Sequence, residues 1–142
     1  MRFWDSSAVV PLLVAQPQSP AADATADSDP NMVVWWATEV ECVSAIARRE
    51  REGAIDWRQS ALALESLADF VAAWQVIDPT TRLRELACRL LRVHPLRTGD
   101  ALQLAAAIVA ADGDPRSLPF VTLDDRLAQA AEREGFPVVR PA

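Results

Sequence analysis

The sequence predicts an α/β fold: a parallel sheet with helices on both faces. Three observations point there. Short β-rich runs alternate with longer helix-like runs along the 142 residues, which is the pattern of crossover units in a parallel sheet. The first β-rich run, Phe3-Trp4, meets Asp5 and then at once a helix-like stretch. The chain is 51% hydrophobic, yet no apolar run reaches the roughly 18 residues of a membrane span. A chain of this length can bury about 70% of its unfolded surface without covalent staples. A single domain, residues 1–142, is expected.

The elements follow in order. Met1 to Ser7 reads as a strand and a tight turn, and Ala8 to Val14 as a helix. Ligands bind at the carboxyl ends of strands in open α/β sheets, and the first strand is often central. Asp5 is therefore expected mid-sheet, facing a crevice. Ala15 to Pro30, with Pro17, Pro20 and Pro30, reads as a loop with one short helix near Ala21 to Ala26. Met32 to Trp36 is a second strand. Thr38 caps a helix to about Glu52, which Gly53 ends.

Trp57 to Ile77 reads as one amphipathic helix, with Leu67, Phe70, Val71 and Trp74 at helical spacing. Thr38 to Arg82 would then hold helices and no strand, a hairpin standing off the sheet. Asp78-Pro79 breaks the pattern, and Thr80 or Thr81 begins a helix to about Val93. His94, the only histidine, falls in a loop and takes no role. Thr98 starts a helix over Gly99 to Ala111 that is apolar on nearly every side and should be buried. Asp112 to Pro119 is a loop and Phe120 to Leu123 a buried strand. Asp124 opens a helix to about Glu134, Gly135 closes it, and Pro137 to Val139 is a last short strand.

Charge and cysteines narrow the classes. The formal net charge of −6 argues against a general nucleic-acid binder. The basic residues are nonetheless unevenly spread: Arg82, Arg84, Arg89, Arg92 and Arg97 stand against Glu85 alone between Thr81 and Arg97. All are arginines, the better fork for phosphate, although a solvated helix face accounts for them too. Cys42 and Cys88 lie in helix-like runs and read as small core residues rather than a disulfide pair. With no apolar leader after Met1, a cytoplasmic protein is expected.

Three acids stand where such a fold brings them near Asp5. Asp100 lies in the first turn of the most apolar helix, above Leu104 and Ala107. Asp124 follows a strand directly, and Asp125 could replace it. Helix-dipole and N-cap roles are the plainer readings of these two positions. For a fourth acid, Glu39 lies beside Val40, Val43 and Ile46, and Glu41 beside Ala37, Ser44 and Ala45. Periodicity does not choose between them. Carboxylates gathered in one pocket stay ionised at neutral pH only with a cation among them. Oxygen ligands without His or Cys select Mg²⁺ or Mn²⁺. Such an ion polarises a phosphoryl oxygen and activates water for phosphodiester hydrolysis.

These residues carry a family resemblance. FWDSSAVVPLL at the start, TEVECVSAIAR from Thr38, RTGDALQLAAA from Arg97 and FVTLDDRLAQAAEREGFPV from Phe120 resemble, in order and spacing, the PIN-domain ribonucleases, specifically the VapC toxins of bacterial toxin–antitoxin pairs. The resemblance implies a three-layer α/β/α fold with a central parallel sheet and a protruding helical hairpin. It implies Asp5, Glu41, Asp100 and Asp124 as catalytic, metal-holding acids. It selects Glu41 over Glu39 because Ala45 and Arg48 follow at the family's spacing. Thr122 matches a family hydroxyl that helps order the site, and Ser6 supports it. Leu123 departs from the commonest pattern, in which an aromatic precedes the acid. A homodimer, a VapB-type antitoxin and an RNA substrate are further implications; because the basic segment runs into Asp100, Arg92 and Arg97, together with Arg126, are candidate RNA contacts. Two rivals remain: a catalytically silent PIN-like interaction module, and a phosphatase of the haloacid-dehalogenase type. The second wants an acid where Ser7 stands and a Lys that the chain lacks.

Overall fold

Five short strands, all parallel, form one sheet in the order β3-β2-β1-β4-β5. They are β1 (Arg2–Trp4), β2 (Met32–Trp35), β3 (Gln75–Ile77), β4 (Phe120–Val121) and β5 (Val138–Val139). The computed structural model describes residues 1–142. Seven helices connect the strands: α1 (Ser6–Leu13), α2 (Ser19–Ser28), α3 (Thr38–Arg51), α4 (Trp57–Ala73), α5 (Thr81–Val93), α6 (Thr98–Ala111) and α7 (Asp125–Arg133). The first strand is central, as expected.

Alternation along the strands builds the layers. Phe3, Val33, Trp35 and Phe120 point to one face, where they pack with Leu90 of α5, Leu104 of α6 and Leu127 of α7. Trp4, Met32, Val34 and Val121 point to the other and pack with Val9 of α1, Cys42 of α3 and Leu67 of α4. Both faces are covered, which is why the strands read as continuous apolar runs. α6 runs through the larger core with Ala101 and Gln103 to Ala107 all buried. α3 and α4 pack on each other as a hairpin. A separate small cluster of Val14, Ile46, Ile55 and Ala63 closes around it without any strand residue. No helix is long and apolar enough to cross a membrane.

Several expectations are corrected. The helix expected to reach Ile77 stops at Ala73, and Gln75–Ile77 pairs with Val33, Val34 and Trp35 of β2. Thr38 to Arg82 therefore does contain a strand. Trp74 is buried as the residue that caps α4, not as part of it. The segment before β2 is more helical than its prolines suggest, since Pro20 sits in the first turn of α2, where a missing N–H costs nothing. β2 stops at Trp35, and Trp36 is exposed. β4 covers only Phe120 and Val121. Cys88 is exposed, so only Cys42 is a core thiol. His94 is buried, and its Nε2 meets Glu134 Oε2 at 2.8 Å, tying the α5–α6 turn to the end of α7.

Candidate metal centre

The carboxyl ends of β1 and β4 lie side by side, and each hands the chain straight into a helix. Asp5 follows β1 as the N-cap of α1, but its carboxylate caps no backbone N–H. It is instead 3% exposed and receives hydroxyls. Thr122 Oγ1 donates to Asp5 Oδ2 at 2.8 Å, and Ser7 Oγ donates to the same oxygen. The Ser7 hydroxyl also accepts from the Leu123 N–H at 3.0 Å, and Thr122 Oγ1 accepts from the Asp124 N–H at 3.0 Å. Two short polar side chains thus lock the two strand ends together.

Asp124 follows as the N-cap of α7 and accepts from the Leu127 N–H at 2.8 Å. The plain capping role is therefore real, and it occupies only Oδ1. Glu41 enters from α3, one turn past Thr38. Ser6 Oγ donates to Glu41 Oε2 at 2.9 Å, and Gln103 Nε2 donates to Glu41 Oε1 at 3.1 Å. Asp100 enters from the first turn of α6.

Asp5, Glu41, Asp100 and Asp124 line one cavity of about 600 Å³ at the carboxyl edge of the sheet. Ser6, Ser44 and Ala45 line it with them, so the small-residue side of α3 is the side that faces the site. Glu39 is exposed and is not among the lining residues. Arg97, Arg126 and Asp125 border an adjoining cavity that shares Asp100 and Asp124. Asp125 itself is paired with Arg140 on the surface. Arg92 lies on the exposed side of α5 and borders neither cavity. Ser7, Gln16, Arg48 and Arg49 line the acidic cavity without having been predicted as site residues.

The electrostatics are those of crowded acids. Burial pushes Asp5 up to about 6, and the Glu41 and Asp100 charges add to it, while the Ser7 and Thr122 hydroxyls oppose. Glu41 is raised by burial and by Asp100, against the hydrogen bonds from Ser6 and Gln103. Asp100 is raised by burial and by Asp124, with Arg97 and Arg126 opposing. For Asp5, Glu41 and Asp100, the neighbouring hydroxyls, amide and arginines do not offset the effect of burial. As they stand, no three of the chain's His, Cys, Asp and Glu side chains are close enough together to hold an ion. The donor set fits a hard divalent ion: carboxylate oxygens, hydroxyl supports, and no His or Cys among the lining residues.

Comparison with known proteins gives a consistent picture. A family model described as PIN domain matches residues 2–133. Ribonuclease VapC45 and Ribonuclease VapC49, from two Mycobacterium tuberculosis strains (CDC 1551 / Oshkosh and ATCC 25618 / H37Rv), are each 32% identical over 136 residues, covering 96% of this chain and 92% of theirs. Among solved structures, a chain of a toxin–antitoxin complex from Klebsiella pneumoniae superposes with a TM-score of 0.67 at 17% identity, covering 100% of this chain and 98% of that one.

Proposed function

The chain belongs to the PIN-domain family and, within it, to the VapC ribonucleases, and from that premise we propose that it is a Mg²⁺- or Mn²⁺-dependent endoribonuclease, the toxin of a type II toxin–antitoxin pair. The observation that carries the reading is the single cavity lined by Asp5, Glu41, Asp100 and Asp124. In this proposal Asp5, Asp100 and Asp124 hold the ion, with Glu41 binding it directly or through water. When bound, the ion supplies Lewis-acid activation of water and of the scissile phosphate.

The chain's own residues do the rest. Thr122 and Ser7 hold the Asp5 carboxylate in one rotamer by two hydroxyl donors, and Ser6 steadies Glu41. Asp124 is fixed because it also caps α7. In the same proposal Arg97 and Arg126, which line a cavity with Asp100 and Asp124, bind the RNA backbone as it enters, since guanidinium forks suit phosphate. The acidic cavity and the arginines at its rim divide the labour: one takes the cation, the other the polyanion. Arg92 lines neither cavity, so this reading gives it no part at the rim.

Partners belong to the same proposal. Likeness to the fold in a toxin–antitoxin complex supports a VapB-type antitoxin; a homodimer, one domain over residues 1–142 and a cytoplasmic location complete the proposal. The test is direct. Purified, antitoxin-free protein is incubated with total cellular RNA in Mg²⁺ or in EDTA. Discrete fragments in Mg²⁺ and intact RNA in EDTA are expected; equal cleavage in both would overturn the metal dependence.

A further inference from the structure

We propose that Gln103 is a positioning residue for the cation site, holding the Glu41 carboxylate in the cavity from the opposite helix. The proposal rests on the metal-dependent reading above and adds a residue to it. Gln103 lies on α6, a helix that is otherwise apolar where it is buried, and is only 1% exposed. A polar side chain at such a position costs free energy unless it is hydrogen-bonded. Its Nε2 donates to Glu41 Oε1 at 3.1 Å and to Thr38 Oγ1 at 3.2 Å. Both acceptors belong to the first turn of α3.

The orientation of the amide follows from chemistry. A carboxylate only accepts, so the NH₂ must face Glu41. That leaves Gln103 Oε1 buried with no protein partner. A methionine at this site would fill the same space and bury no orphan carbonyl. For packing alone, Gln is the worse choice. For Glu41 it is the better one. With Ser6 on Oε2 and Gln103 on Oε1, both carboxylate oxygens are held, one from each side of the sheet's carboxyl edge. Gln103 also lies one turn after Asp100 on the same helix, so α6 brings an acid to the cavity and fixes the orientation of another.

The test is a double-mutant cycle read by calorimetric titration of Mn²⁺ into the antitoxin-free protein, with thermal unfolding in metal-free buffer alongside. Gln103→Met should weaken Mn²⁺ binding by roughly 10-fold or more, the usual range for groups that orient a ligand, with an unchanged or higher Tm. In a Glu41→Gln background, adding Gln103→Met should change the affinity by less than about twofold. Gln103→His, which restores an N–H donor at similar reach, should recover most of the affinity. Native-like Mn²⁺ binding by Gln103→Met would overturn the proposal, as would an equal loss in the Glu41→Gln background. A Gln103→Met chain that loses several degrees or fails to fold would make the residue structural and overturn the proposal too. No Mn²⁺ uptake by the native chain would instead sink the metal reading itself.

Discussion

Thr122 and Asp5 are 117 residues apart in sequence, and the Thr122 hydroxyl donates to Asp5 Oδ2 at 2.8 Å. That bond joins the ends of β4 and β1, and the same hydroxyl accepts the N–H of Asp124. Thr122→Val keeps the shape but leaves Asp124 N–H without its partner and Asp5 with one donor fewer. A loss of about 1–3 kcal/mol is expected, roughly 4–10 °C in Tm for a domain of this size, together with weaker Mn²⁺ binding. Thr122→Ser should restore both. Thermal unfolding and metal titration check this, and a Val variant indistinguishable from native would contradict the role given to Thr122.

The pH dependence of stability has a definite sign. Asp5 is pushed up to about 6 when folded, from 3.8. Between those values the folded chain binds more protons than the unfolded one, so stability falls as pH rises through this window and then levels off. About 3 kcal/mol is involved, and the raised Glu41 and Asp100 add the same sign. A cation in the cavity relieves this penalty only where the acids are ionised. Mn²⁺ should therefore raise Tm markedly at pH 7.5 and little at pH 5. Equal increments at both pH values would show that the ion binds elsewhere.

The two rim arginines should act on binding rather than on chemistry. Arg97→Ala and Arg126→Ala are each expected to raise KM for RNA and leave kcat nearly unchanged. Each should flatten the salt dependence of binding by about one counterion. Arg92→Ala, outside both cavity linings, should do neither.

A mutation in the hairpin separates stability from activity. Asp56 accepts from the Gln59 N–H at 2.8 Å, and the Gln59 side chain accepts from the Asp56 N–H at 2.8 Å, a reciprocal cap on α4. Asp56→Ala should cost about 1 kcal/mol, visible as a lower Tm. Cleavage per folded molecule should stay native, since Asp56 lines no part of the acidic cavity.

What the sequence discloses follows from how local each feature is. Asp5, Asp100 and Asp124 are visible because each stands where a strand or loop turns into a helix, a position that local pattern reveals. β3 is hidden because Trp74 continues the stripe of Leu67, Phe70 and Val71, and three residues are too few to show a period of two. Only pairing with β2 makes Gln75–Ile77 a strand. Periodicity leaves Glu41 and Glu39 equivalent; the family spacing favours Glu41, and the packing of α3, which turns Ser44 and Ala45 toward the cavity, brings Glu41 into its lining. Cys88 falls on the outward face of α5, off the stripe of Leu83, Ala87 and Leu90, a rotation that the helical spacing of those residues does disclose. Gln103 did leave a signal: one amide in the buried turn of an apolar helix needs a partner, and that partner is Glu41.

RNA cleavage should depend on the cavity of Asp5, Glu41, Asp100 and Asp124. The direct measurement is a map of new RNA 5′ ends in cells after induced expression, comparing the native chain with Asp100→Asn. The cavity predicts new ends at defined sites with the native chain. With Asp100→Asn they should be absent or reduced about a hundredfold or more, since charge stabilisation by a held metal ion is worth several kcal/mol. Equal cutting by a folded Asp100→Asn variant would contradict it. So would no new ends from native protein shown to be folded and free of antitoxin.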